Sequence, residues 1–114
     1  MRIKCYTNFY VGKSLEKNKL QHILDLMEGN LKHSIYIVSL SQGIQNHLEF
    51  YAASLLRQDI YTDSEIFVVG LAGKYEEAVE LTQIILQEVL DKTGGTDIRN
   101  YILQQQNAFE EGRV

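Results

Sequence analysis

The stretch IFVVGLAGKYEEAVELTQ, residues 66–83, decides how the chain is read. Its first half is a run of β-branched and aromatic residues, the composition of a strand covered on both faces. Its second half spaces apolar residues as a helix does. Between the two stand Gly70, Gly73 and Lys74. Strand, glycine turn, lysine and helix make the outline of a phosphate-binding loop, but the details do not fit. A Walker A loop is G-x-x-x-x-G-K-[ST]. Counting back from Gly73 puts Val68 where the first glycine belongs, and Tyr75 replaces the Ser or Thr that would hold magnesium. The dinucleotide pattern G-x-G-x-x-G fails too, because Ala72 and Lys74 flank a lone Gly73. The helix then opens with Glu76, Glu77 and Glu80, so the protein's own carboxylates already sit in the field that would draw an anion. The glycines are therefore read as a tight strand-to-helix turn.

Two more strand-then-helix units precede this one. Residues 2–11 alternate, with Ile3, Cys5, Thr7, Phe9 and Val11 on one side and Lys4, Tyr6, Asn8 and Tyr10 on the other. Gly12 ends that strand, and Ser14 can cap a helix running to about Glu28. Leu20, Ile23, Leu24 and Met27 form its apolar stripe, and Gly29 suits its stop. The run SIYIVSL, 34–40, is a second strand of the doubly covered kind. Asn46 and Glu49 have capping-box spacing, which predicts a helix carrying Leu48, Tyr51, Ala52, Leu55 and Leu56. The third helix is predicted from about Tyr75 to Asp91, with a stop at Thr93-Gly94-Gly95. A fourth is predicted over 96–109 on Ile98, Tyr101, Ile102 and Phe109. IYIVSLS (35–41) and IFVVGLA (66–72) echo each other at the length of one βαβ step. The expected fold is one α/β domain over residues 1–114. It is βαβαβα, with a small, mostly parallel sheet in two or three layers and a C-terminal helix.

Composition narrows the function classes. The net charge is −4 and the pI about 5.3. The one basic cluster, Lys13 to Lys19, is interrupted by Glu16, which argues against nucleic acid as a partner. Cys5 is the single cysteine, so neither an internal disulfide nor a cysteine-based zinc site can form. No apolar run approaches the roughly 20 residues that span a bilayer. The segment MRIKCYTNFYV lacks a signal-type apolar core, so no membrane partner and a cytoplasmic location are expected. His22, His33 and His47 are scattered, and no metal or cofactor is expected.

Parallel strands bind ligands beyond their carboxyl ends. The expected rim gathers Gly12, Lys13 and Ser14 from the first unit, Ser39, Ser41, Asn46 and His47 from the second, and Gly70 and Gly73 from the third. Gly12-Lys13-Ser14 repeats the tail of a Walker A loop, although Thr7 replaces its first glycine. With Lys17 and Lys19 nearby, it is the better simple anion site. VSLSQG, 38–43, approaches the G-x-S-x-G nucleophile elbow, with Ser39 in place of the first glycine. No histidine follows His47 to serve Ser41, so no catalytic residue is assigned. The second and third strands both read as doubly covered, whereas a three-stranded sheet has one central position. Leu81, Ile84 and Leu90 also widen the apolar stripe of the third helix beyond one face. These features lead to the expectation of a non-enzymatic interaction or structural module working as a homodimer, with those three residues at the interface. The alternative is a binder of, or simple enzyme on, a small anionic metabolite at the rim.

Overall fold

The computed structural model describes residues 2–30, 35–41, 47–57 and 65–112. Among these residues, four strands form one sheet: β1 (Arg2–Val11), β2 (Tyr36–Leu40), β3 (Leu48–Ala52) and β4 (Glu65–Ala72). Three α-helices accompany it: α1 (Lys19–Met27), α2 (Tyr75–Thr93) and α3 (Ile98–Glu110). The order across the sheet is β1-β4-β2-β3. The mixed α/β class and the C-terminal helix are as expected, but the mostly parallel βαβαβα topology is not. Only β1 and β4 pair in parallel, while β2 runs antiparallel to both β4 and β3.

The difference arises in one segment. LEFYA, 48–52, is a strand followed by a 3-10 turn over Ala53–Arg57, not the start of a helix. Leu48, Tyr51, Ala52, Leu55 and Leu56 fit helical spacing, but Leu48, Phe50 and Ala52 also alternate with Glu49 and Tyr51. So short an apolar segment satisfies either period. Tertiary demand decides. β2 is buried, and its backbone groups on the side away from β4 need partners. β3 supplies them as a hairpin partner, with Val38 opposite Phe50 and Leu40 opposite Leu48. Glu49 of the expected capping box therefore lies in a strand, and Asn46 lies outside the described residues. The echo of 35–41 with 66–72 reflects two adjacent central strands running in opposite directions.

The fourth strand also answers the burial puzzle. β4 and β2 take the two central positions, and β1 and β3 are the edges. Helices cover both faces. Val38, Leu40 and Val69 pack with Ile85 and Val89 of α2 and Ile102 of α3. Phe9, Ile37, Ile66 and Val68 pack on the other face with Leu26 of α1 and Leu15. Leu15 belongs to a 3-10 turn over Lys13–Asn18 that leads into α1, so the expected first helix begins about five residues late. Gly70 stands inside β4, not in the turn after it. A side chain there would meet the Tyr10 carbonyl at 2.9 Å. Beside it the register slips against both neighbours, as a β-bulge does. α2 ends at Gly94, whose φ of 75° is the left-handed stop the glycine pair predicts.

Candidate functional site

Because β1 and β4 are parallel, their carboxyl ends emerge side by side. Gly12 donates its N–H to the Leu71 carbonyl at 2.9 Å, extending the pairing one residue past β1. Gly12-Lys13-Ser14 and Gly73-Lys74 thus form adjoining turns. Glu77, three residues into α2, lies between them. Its Oε1 accepts from the Gly73 N–H at 2.9 Å and from the Ser14 hydroxyl at 2.8 Å. Its Oε2 accepts from the Ser14 N–H at 3.2 Å. Burial pushes the Glu77 carboxyl upward, but those three bonds and the Lys74 charge outweigh it, and the net shift is downward. The glycines here are steric requirements. A side chain at Gly12 would collide with the Glu77 carboxylate, and one at Gly73 with the Ser14 hydroxyl.

The seat in which an anion was expected is therefore filled by a carboxylate of the same chain. The open cleft above it is lined by Lys13, Lys74, Glu76, Glu77 and Glu80, so acids outnumber bases. Of the three flanking lysines, Lys19 donates to the Phe9 carbonyl at 3.1 Å. Glu77 counted only as a repelling charge in the sequence. The available signal was an acid at the third position of a helix that follows a glycine turn, the position from which a capping-box side chain reaches back.

The second group of rim candidates does not join the first. β2 is antiparallel to β4, so its carboxyl end lies at the opposite border of the sheet. Ser39 is buried there, and its hydroxyl lies 3.3 Å from the Tyr51 hydroxyl. Ser41 is buried as well. Its N–H donates to the His47 carbonyl at 3.1 Å, and its own carbonyl accepts from Arg99 of α3. The His47 side chain approaches Glu49, with 3.9 Å between His47 Nε2 and Glu49 Oε1. Arg99 is an anchor that its position in the sequence did not signal. The third cluster also went unforeseen. Tyr101 donates its hydroxyl to Glu88 of α2 at 3.0 Å, and the same carboxylate acts on the Tyr10 phenol. Burial, reinforced by that carboxylate, pushes the Tyr101 phenol up to about 12 and raises the Tyr10 phenol as well. Such phenols hold their protons. Among the described residues, no group of three or more His, Cys, Asp or Glu is placed to hold a metal ion. Among them, too, no helix is long and apolar enough to cross a membrane. Cys5 is half-buried, and burial raises its thiol pKa.

The three residues expected at an interface separate. Leu81 is 5% exposed and packs in the same cluster as Ile98 and Ile102 of α3, so it is covered within its own chain. Ile84 and Leu90 remain on the surface, at 52% and 37% exposure. They point differently, because six residues place them roughly 120° apart around a helix. Leu90 instead continues a row through Tyr75, Val79 and Leu86 on the flank toward β3, where the Tyr75 ring meets Phe50 edge-on at 5.4 Å between centroids.

Comparison with protein-family models, with curated proteins and with solved structures gives no match to this chain.

Proposed function

We propose that the protein is a non-enzymatic interaction module that works as a homodimer. The observation that carries this reading is the apolar row on the free flank of α2. Tyr75, Leu86 and Leu90 stand at least one-third exposed beside the half-buried Leu48 and Phe50 of β3. Large apolar side chains gathered on one side of a small domain are the usual mark of an association surface. The doubly covered strands and Leu81 no longer argue for a partner, since β3 and α3 satisfy both within one chain. The alternative, a small anionic metabolite at the carboxyl ends of β1 and β4, would have to displace Glu77 from its three donors. Sedimentation of the purified chain tests the proposal, and a dimer at micromolar concentration is expected. A monomer throughout, with a melting temperature raised by nucleotides or phosphorylated metabolites, would favour the alternative.

A further inference from the structure

The two edges of the sheet are finished differently. At β1, Gln106 of α3 accepts the Thr7 N–H at 2.7 Å, Lys4 pairs with Glu110 of α3, and the register breaks between Cys5 and Tyr10. A plugged amide, an edge lysine and a bulge are the devices that stop a strand from recruiting another. Among the described residues, β3 has none of them. Its five residues hold no lysine or proline and one charge, Glu49, and all five are half-buried.

The hydrogen-bond phase of the hairpin says which groups are open. Ser41 N–H bonds the His47 carbonyl, and Ala53 N–H bonds the Ile35 carbonyl. Antiparallel strands alternate bonded and non-bonded pairs. Stepping inward from both bonds, Glu49 and Tyr51 turn their backbone toward β2. Leu48, Phe50 and Ala52 turn theirs to the outside, where the sheet has no further strand among the described residues.

We infer that β3 pairs antiparallel with β3 of a second copy, about a two-fold axis through Phe50. This rests on the self-association proposed above and specifies where it occurs. The register follows from the strand itself. Centring on Phe50 sets Leu48 against Ala52 of the second copy and uses every outward N–H and C=O. A shift by one residue would set outward-bonding positions against inward-bonding ones. Centring on Glu49 would put two like charges directly opposite each other, which is destabilising. Centring on Tyr51 would leave Leu48 unpaired. With Phe50 on the axis, Glu49 faces a tyrosine. The side chains of Leu48 and Phe50 lie on the α2 side of the sheet, with the main core. The apolar row of α2 therefore flanks the same seam, and the second copy brings an identical row. The sheet then runs unbroken through both chains, an isologous arrangement that closes on itself.

Amide-resolved hydrogen exchange on the wild-type chain, at low and high micromolar concentration, tests this inference together with sedimentation of Phe50→Lys. The amides of Leu48, Phe50 and Ala52 are expected to slow by about tenfold or more on concentration, as ladder formation requires. Those of Glu49 and Tyr51, already bonded within the chain, stay unchanged. Phe50→Lys sediments as a monomer, and Leu24→Lys on the exposed side of α1 remains a dimer. A dimer in which the three amides stay fast at every concentration overturns the β3 seam while leaving self-association standing. A wild-type chain that is monomeric at every concentration overturns both. The exchange pattern needs no substitution, so it decides the matter even where Phe50→Lys fails to fold.

Discussion

A carboxylate can join two turns only while it is ionised, and Glu77 is built to stay so. Its partners are all donors, and its folded-state pKa lies below the ordinary value. A group of this kind contributes stability that is present above the unfolded carboxyl pKa, about 4.3, and is lost as pH falls through the lower folded value. Replacing it by the isosteric amide in Glu77→Gln should cost on the order of 2 kcal/mol at neutral pH, because charge-assisted bonds are lost and a donor group faces donors. The gap between wild type and variant should then shrink below about pH 4, as the wild type gains its own proton. Urea unfolding across that range measures it, and a gap constant with pH would refute the role. At this scale the chain was legible in part. The sequence already marks Gly12, Ser14 and Gly73 as a special place, because glycines beside strand ends are visible in one dimension. What fills that place was not legible, since Glu77 lies 63 residues from Ser14 and meets it only when β1 and β4 pair.

Among the elements, α3 shows best how local signals and tertiary contacts combine. Asp97 caps it by accepting the Asn100 N–H at 3.1 Å, and that cap could be read from the residues alone. Its ties to the rest of the fold could not be, because one joins Gln106 to Thr7 of β1 and another joins Tyr101 to Glu88 of α2. The phenol pKa values are raised in the folded chain. The linked stability is thus complete below the unfolded tyrosine pKa, about 10, and disappears as pH rises toward the folded values. Absorbance titration of the native protein should show at least two of its tyrosines still protonated near pH 11, and unfolding should accompany their ionisation. Replacing Glu88 by Gln removes the carboxylate that accepts from Tyr101, so Tyr101 should then titrate earlier. An unchanged titration would count against the cluster. β3 marks the opposite limit of legibility. Five residues carry too little periodicity to separate strand from helix, and the deciding fact is the bare side of β2. α2, at 19 residues with a glycine stop, was long enough for its own pattern to prevail.

For the whole molecule, β1, β2, β4, α2 and α3 could be read from their own residues, whereas the direction of β2 against β4 could not. Reversing one central strand leaves its burial pattern intact, so YIVSL looks the same whichever way it runs against β4. That reversal is what scattered the expected rim to two borders of the sheet. A feature at its edge has a mechanical consequence. Lys4 meets Glu110, and Thr7 meets Gln106, so moving inward from one end of the described chain tracks moving inward from the other. Tension applied between residues 2 and 110 would therefore load these links in sequence, as a zip fastener does, and not all together. Optical-tweezer traces should show α3 stripped at low force in a first step, lengthening the tether by roughly 3.5 Å per residue released. The sheet should hold to a second, higher rupture. Pulling from residue 2 and residue 72 instead strains the parallel β1–β4 ladder in shear, and a single high-force event should replace the early one. The same fold would thus be soft along one axis and stiff along another, according to where it is gripped.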